Sequence, residues 1–209
     1  MRNLIASTDT RDFYVYVDPR DWLIRHQVGL IGTFTSTPSD PSTPTLMFLP
    51  NPEFKTFISP FQNNLLRNYI AEYNLELSRQ RDFGKYPCRL HAIFLLANAE
   101  EAQKYAARHS DHVGSRLLKR CTTVGPYRYS IHDSAWVNFL RRGHSMDQET
   151  LDLVCRGYWS GERAADHRLQ SMGQEWMEDA ILEVLFLGRI DFHDKSLSIE
   201  QSGTGACTP

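Results

Sequence analysis

The carboxylate best placed for chemistry in this sequence is Glu183, which opens the apolar segment Glu183–Phe192. Side chains alternate between the two faces of a strand, so Glu183 is expected to share a face with Leu185 and Leu187. A carboxylate at the start of so apolar a strand is expected at the sheet edge of a cleft, where burial would perturb its pKa. The alternative is an exposed glutamate at the first position of a strand. From the strand pattern alone, Glu183 is therefore a candidate site residue, and both placements remain open.

Histidines offer other acid–base or metal chemistry. His109 and His112 are three residues apart and could bind a metal, but no third ligand accompanies them, and the spacing is more typical of a helix end. His91, His132 and His144, with nearby arginines, could instead cleave RNA by acid–base catalysis. We therefore expect no metal site and keep a histidine-based ribonuclease as the main alternative enzyme.

The cations are mostly arginine, with 18 arginines against 5 lysines. Arginine presents a planar fork that binds phosphate through two hydrogen bonds, although a GC-rich genome would give the same bias. The net charge of −2 excludes a global field that draws the protein to nucleic acid. Between residues 108 and 128, however, cations outnumber the single acid Asp111. The candidate nucleic-acid contacts in this segment are Arg116, Lys119, Arg120 and Arg128.

The N-terminal third is expected to begin with strands. Residues 13–17 form a strand that Asp18-Pro19 ends, because proline fixes its own φ and restricts the residue before it. A short helix or turn follows at Trp22, and then a second extended piece over residues 28–34. The turn-forming residues 35–44 predict a loop that could act as a flap over a site.

The rest of the chain mixes helices with short strands in irregular order, which predicts an α+β fold rather than a doubly wound sheet. The apolar spacing of Leu65, Leu66, Tyr69, Ile70, Tyr73 and Leu77 predicts one face of a helix over residues 61–83. The expected elements after it are a buried strand at 90–96, a helix at 100–109 capped by Asn98, a strand at 127–131, a helix from a capping box at Ser145 to about 157, an irregular segment at 161–180 with one helical turn near Trp176, and a strand at 183–192.

Composition limits the other function classes. A chain of 209 residues predicts one domain, assigned to residues 1–195, with a flexible tail at 196–209. The longest apolar stretch, at 92–97, is too short to cross a bilayer, and the N-terminal residues contain no apolar signal core, so a cytoplasmic location is expected. The cysteines have no paired spacing and are expected to be free thiols. No Gly-rich phosphate-binding motif of the Rossmann or P-loop type is present.

The order of motifs adds a family resemblance. A strand, Tyr14–Pro19, opens the domain; the segment Arg89–Ala102 (RLHAIFLLANAEEA) lies mid-chain; Tyr158–Glu162 (YWSGE) and Glu183–Phe186 (EVLF) follow near the end. This succession resembles the ADP-ribosyltransferase superfamily, particularly its small bacterial toxin and phage-defence members.

The resemblance implies split antiparallel sheets with flanking helices and an NAD-binding cleft between them. NAD would be a co-substrate, and no metal would be needed. Glu183 would be the catalytic glutamate that this superfamily has at the start of a late strand. The NAD-binding residues implied by position are Tyr16 (with Tyr14 as the alternate), Cys88 where a serine is expected, Arg89 at the diphosphate, and Trp159 lining the pocket.

The implied reaction is transfer of ADP-ribose to a macromolecule, with nucleic acid slightly favoured over protein because of the arginine bias. Toxins of this kind usually have a neutralising antitoxin protein as a partner. Besides the ribonuclease, a non-catalytic interaction domain with a decayed site remains an alternative, and Cys88 in place of a serine is its best support.

Overall fold

Helices and antiparallel strands alternate along the chain in an α+β fold, as the sequence predicts. The computed structural model describes residues 3–36, 60–142, 146–171 and 174–197. Most of the predicted flap at 35–44, most of the predicted tail at 196–209, and His144 lie outside the described residues.

The strands of the described ranges are β1 (Leu4–Ser7), β2 (Asp12–Val17), β3 (Thr33–Thr35), β4 (Ile93–Leu96), β5 (Leu117–Asp133), β6 (Gln170–Ser171), β7 (Gln174–Glu175) and β8 (Leu182–Phe192). The helices are α1 (Trp22–Ile24), α2 (Pro60–Asp82), α3 (Ala99–Arg108), α4 (Ser110–Val113), α5 (Ala135–Arg141) and α6 (Gln148–Ser160). A π-helical segment (Arg25–Ile31) follows α1, and a 3-10 turn (Ala164–Asp166) follows α6.

Four of these strands close into a small barrel. The main sheet has the order β1-β5-β2-β4-β8-β3, and β5 also pairs with β8, so that β5, β2, β4 and β8 form a ring of antiparallel strands. The first part of β5 pairs with β2, and its second part lies between β1 and β8. The register shifts between Val124 and Arg128, where Gly125 has a φ of 70°. This bulge bends the strand, since an extra residue on one side of a ladder sharpens the local twist. The family resemblance implies split sheets, whereas these strands form one closed sheet.

The two sides of the barrel wall pack differently. Phe13, Tyr129 and Phe186 belong to a core contributed by all four barrel strands, with edge-to-face ring contacts at 5.4 and 5.9 Å between centroids. A second core under α2, α5 and α6 contains Trp136 and Trp159, both fully buried. A layer of helices therefore covers one outer face of the barrel.

Strand β8 shows this division most clearly. Val184 and Phe186 belong to the barrel core, whereas Leu185 packs with the helices. Because side chains alternate along a strand, Glu183 lies on the face of Leu185 and points to the helical layer.

The predicted extended piece at 28–34 is wrong over most of its length. Only Thr33–Thr35 is a strand, and Arg25–Ile31 is π-helical. The N–H of Gly32 donates to the Gln27 carbonyl at 2.8 Å, the five-residue spacing of a π-helix, and Gly32 ends the helix with a left-handed φ of 82°. A short apolar run fits either structure, so its pattern did not distinguish them.

Helix α2 has the predicted bounds to within one residue at each end, but a different buried face. Leu77, expected on the apolar face, is 46% exposed, whereas Leu75 is fully buried. Glu76 and Arg79 are also buried, joined by a 2.8 Å salt bridge. Polar side chains that pair with each other can face a core, so the apolar pattern alone gave the wrong face.

One predicted helix cap is confirmed, and two other local predictions differ from the structure. The side chain of Asn98 accepts from the Glu101 N–H at 2.9 Å, so the predicted cap of α3 is confirmed. Helix α6 is capped by Asp147, two residues after the predicted position, and its side chain accepts from the Thr150 N–H at 2.7 Å; Ser145 lies outside the described residues. The predicted helical turn near Trp176 is wrong, because the β6–β7 hairpin leads directly into it.

Candidate functional site

A cavity of about 600 Å³ lies between the outer face of the barrel and the helical layer. Its walls come from β2, β4 and the start of β8 on one side, and from α2, α3, α4 and α5 on the other. The volume is in the range of small-molecule sites in proteins. Tyr16, Arg89 and Glu183, three residues expected to form a site, all line it.

Arg89 is at the centre of a buried cluster of charges. It lies in the turn before β4, where the Ala92 N–H donates to the Cys88 carbonyl at 2.9 Å. The predicted strand at 90–96 therefore begins only at Ile93, and the turn places Arg89 beside the cavity. Its guanidinium lies over the ring of Phe94, 4.9 Å from the centroid.

Two glutamates compensate the Arg89 charge, which is only 5% exposed. The Nε and Nη2 atoms of Arg89 donate to Glu72 at 2.7 and 3.1 Å, and Nη1 donates to Glu183. Nη1 also contacts the hydroxyl of Tyr158. Burial alone would lower the pKa of Arg89, but the neighbouring Glu183 and Glu72 raise it well above its usual range. Arg89 is thus a permanently charged link between the two carboxylates.

Two side chains of this cluster hold Glu183 in place. The Tyr158 hydroxyl donates to Oε1 of Glu183 at 2.6 Å, and Arg89 bonds the same oxygen. Oε2 of Glu183 has no hydrogen-bond partner among the described residues, and the side chain is 16% exposed. One oxygen therefore fixes the carboxylate while the other can accept a ligand hydroxyl.

Burial and charge set the protonation of Glu72 and Tyr158, the two other partners of Arg89. Burial would raise the pKa of Glu72, but Arg89 and Arg141 outweigh it and hold that pKa below its usual value. Burial raises the pKa of Tyr158 well above its usual range, so the hydroxyl keeps its proton and can donate.

Aromatic side chains form the middle of the cavity. Tyr16 stacks on Tyr105 with centroids 6.1 Å apart, and the Tyr16 hydroxyl donates to the Ala102 carbonyl at 3.1 Å. Burial raises the pKa of both tyrosines. With Phe94 they give the cavity flat, apolar surfaces of the kind that holds a planar ring.

One group of side chains that line the cavity is cationic. His109 and His112, at the end of α3 and in α4, line it together with Arg116 and Arg141. Arg116 donates to Nε2 of His112, which must therefore be unprotonated. Burial and then the neighbouring arginines lower the pKa of His112, in agreement with this contact.

Three other predicted NAD-binding residues do not line the cavity. Cys88 and Trp159 are buried, and the Trp159 Nε1 donates to the Leu75 carbonyl at 2.8 Å. Tyr14 packs on the outer face of β2 beside Leu96. Of the predicted NAD-binding residues, the structure thus brings only Tyr16 and Arg89 to the cavity.

The predicted nucleic-acid contacts are dispersed. Lys119 is buried and paired with Asp194 at 2.6 Å, and Arg120 is paired with Asp12. Arg128 is exposed beyond the bulge of β5, and Arg116 is at the cavity. Lys119 and Arg120 also point to opposite faces of β5.

Of the histidines proposed for RNA cleavage, His132 is unsuitable. It is fully buried, its Nδ1 donates to the Tyr158 carbonyl at 2.8 Å, and its Nε2 is 2.7 Å from the Ser130 hydroxyl. Burial lowers its pKa to about 3, so it stays neutral and away from any substrate. His91 does not line the cavity.

Among the charged residues of the cavity, sequence reasoning missed Glu72 and Arg141. Arg141 donates to Glu72 at 3.2 Å and so extends the charge cluster from α2 to α5. The only available signal was Glu72 itself, a charge between Ala71 and Tyr73. Nothing in the sequence around Arg141 indicated a site.

Comparison with known proteins adds no assignment: no protein-family model matches the chain, and no curated protein sequence matches it at a significant level. Within the described ranges, no helix is both long and apolar enough to cross a membrane. Over the same part of the chain, no three His, Cys, Asp or Glu side chains cluster closely enough to hold a metal ion.

Proposed function

We propose that this protein is a mono-ADP-ribosyltransferase that transfers ADP-ribose from NAD to a macromolecular acceptor. The observation that carries the proposal is the position of Glu183. It is the second residue of β8, lines the 600 Å³ cavity, and shares that cavity with Tyr16 and Arg89 from two distant parts of the chain.

Glu183 suits the electrostatic part of this reaction. Cleavage of the nicotinamide–ribose bond passes through a transition state with oxocarbenium character, as in glycoside cleavage. With Oε1 fixed by Tyr158 and Arg89, Oε2 is free to accept the ribose 2′-hydroxyl. The carboxylate would then stabilise the developing positive charge from a fixed position, which costs no reorganisation during the reaction.

The remaining cavity residues support binding and positioning. Tyr16, Tyr105 and Phe94 offer flat surfaces to the nicotinamide ring. Arg89 has its donors directed to Glu72, Tyr158 and Glu183 in this structure, which favours a role in positioning Glu183 over the diphosphate contact implied by the resemblance. The acceptor would be a macromolecule, with nucleic acid slightly favoured over protein, and an antitoxin partner remains part of the proposal.

The direct test is incubation of the purified protein with labelled NAD and separate pools of RNA, DNA and cell protein. We expect label in one pool, and a loss of about 100-fold or more in Glu183→Gln, the size of effect seen when one electrostatic stabiliser is removed. Glu175→Gln, an exposed glutamate in β7, is the matched control and should retain activity. Absence of label in every pool, together with no NAD binding by calorimetry, would end the proposal and favour a non-catalytic domain.

The metal-independent ribonuclease remains a second candidate because of one observation. His109 and His112 line the cavity beside Arg116 and Arg141, a set suited to acid–base cleavage of a phosphodiester. RNA breakdown without NAD that persists in Glu183→Gln and stops in His112→Gln would establish this reading instead.

A further inference from the structure

The mouth of the cavity is lined by a compact group of nitrogen donors. The rings of His109 and His112 lie 4.7 and 6.1 Å from the ring of Tyr105, measured between centroids. Arg116 contacts His112 directly, and Arg141 completes this wall. His112 is exposed and Arg116 is half-buried, so the group is accessible from solvent.

The positive charge of this wall is only partly compensated. Arg141 donates one hydrogen bond to Glu72 at 3.2 Å, and its buried Nε atom has no hydrogen-bond partner. Arg116 has no carboxylate partner among the described residues, since its contact is the neutral ring of His112. Two guanidinium groups thus face a cavity whose carboxylates, Glu72 and Glu183, are already bound by Arg89.

The nearest other acids are also occupied. Glu178 is paired with Arg108 at 3.2 Å and accepts from Asn138 at 2.7 Å. Asp18, which feels the charge of Arg116, is bridged to Arg20 at 2.9 Å. An anion from solution would therefore face little competition from carboxylates at this wall.

We propose that His109, His112, Arg116 and Arg141 form a binding site for a phosphate group at the mouth of the cavity. Guanidinium groups bind phosphate through paired, charge-assisted hydrogen bonds, and each imidazole can add one more donor. The site adjoins the carboxylate cluster at Arg141, which donates to Glu72 at 3.2 Å. It stands whether or not ADP-ribose transfer occurs, because phosphate binding requires no NAD.

Proton linkage offers a second signature. Burial, followed by Arg141 and Arg108, lowers the pKa of His109 against the opposing effect of Glu178. Burial, followed by Arg116, His109 and Arg141, lowers the pKa of His112. Both rings are then neutral at pH 7.5, and a bound phosphate dianion would raise both pKa values. Protons that the rings gain are offset by those that phosphate releases when its monoanion binds as the dianion, so binding should exchange protons with the buffer.

The first experiment is calorimetric titration of the whole protein with inorganic phosphate at pH 7.5 in two buffers of different ionisation enthalpy. We expect saturable binding at millimolar phosphate, with a heat that differs between the two buffers. Arg116→Gln and His112→Gln should each weaken it by about tenfold, the loss of one charge-assisted hydrogen bond. Arg120→Gln, whose arginine lies on the outer surface of β5, is the matched control and should bind phosphate as the wild type does.

Two further ligands distinguish the sources of the phosphate. ADP-ribose that displaces phosphate would identify the diphosphate of a dinucleotide. An RNA oligonucleotide that binds through Arg116 only when it carries a 5′-phosphate would identify the terminal phosphate of an acceptor. The proposal is overturned if phosphate shows no saturable binding, or if folded Arg116→Gln and His112→Gln both bind it as tightly as the wild type. Neither result depends on whether ADP-ribose is transferred.

Discussion

At the scale of single residues, Tyr158 is the side chain on which the geometry of Glu183 depends. It is fully buried, and its hydroxyl donates to Oε1 of Glu183 at 2.6 Å. The same hydroxyl contacts Arg89. A buried hydroxyl that keeps its proton can hold a carboxylate in one orientation without touching substrate, so Tyr158 is a positioning residue.

Replacement of this hydroxyl should separate catalysis from binding. In Tyr158→Phe we expect kcat for ADP-ribose transfer to fall by about tenfold while KM for NAD changes little, because one charge-assisted hydrogen bond to Glu183 is lost. The free energy of unfolding should fall by about 1 kcal/mol. Steady-state kinetics and urea unfolding measure the two effects. Tyr127→Phe, in the barrel core and away from the cavity, should leave kcat unchanged; an unchanged kcat in Tyr158→Phe would remove the positioning role.

A site residue could be predicted from the sequence where its neighbours along the chain define its position. Glu183 could be predicted because the strand that follows it is apolar and alternates, and its shared face with Leu185 is confirmed. Glu72 and Arg141 could not be predicted, because they reach the cavity only when α2 and α5 pack on the barrel. Pairing across such distances depends on tertiary packing, which no local pattern encodes.

At the scale of elements, the contact between α5 and α6 depends on the absence of a side chain at Gly157. A Cβ there would lie 2.5 Å from Cζ2 of Trp136 and 2.7 Å from Cη2. Trp136 is fully buried and its Nε1 donates to the Glu162 carbonyl at 2.9 Å, so the ring is held in place.

Gly157→Ala should therefore destabilise the protein although alanine is the better helix former. We expect a loss of about 2 kcal/mol in the free energy of unfolding, since overpacking outweighs the helix propensity gained. Urea unfolding measures it. Gly84→Ala is the matched control, because a Cβ at Gly84 meets nothing within 4 Å, and its effect should be about 0.5 kcal/mol or less. Equal stability of the two variants would mean that α6 shifts freely against Trp136.

Elements with a long, consistent period were predicted well. Helix α2 and strand β8 match their expected bounds to within one residue at each end. The π-helical segment at Arg25–Ile31 and the short β6–β7 hairpin were not predicted, since a few residues carry too little periodicity to separate helix from strand. Closure of the barrel could not be predicted from the sequence either, because it requires β5 to pair with both β2 and β8.

At the scale of the whole molecule, His132 joins the barrel to the helical layer. It lies in β5, stacks on Tyr158 of α6 with centroids 4.3 Å apart, and its Nδ1 is 3.3 Å from the Asn3 amide. Burial, opposed by the hydrogen bond to the Tyr158 carbonyl, lowers its pKa to about 3, against about 6.5 in an unfolded chain.

The protein should therefore lose stability in mild acid. Between pH 6.5 and pH 3 the unfolded chain binds a proton that the folded protein excludes, so the free energy of unfolding falls as pH falls through this window. From pH 6.5 to pH 5 the His132 contribution is about 2 kcal/mol, and unfolding in urea at several pH values measures it. His132→Gln should flatten the decline.

His193→Gln is the matched control, because His193 is exposed beside Asp12. Its free energy of unfolding should fall with pH as in the wild type. His109 and His112 have lowered pKa values too, but both variants retain them, so their contribution cancels in the comparison. The same slope in His132→Gln and His193→Gln would show that His132 is accessible to protons in the folded state.

The ring of β5, β2, β4 and β8 also constrains the order in which the molecule can be assembled during synthesis. Its last member ends at Phe192, and it pairs with a strand that begins at Leu117. Until β8 leaves the ribosome, β4 and β5 each lack a partner, and Arg89 has only one of its two glutamates. The nascent chain therefore carries open strand edges and an undercompensated buried charge, so folding to a functional cavity must wait for the segment that contains Glu183.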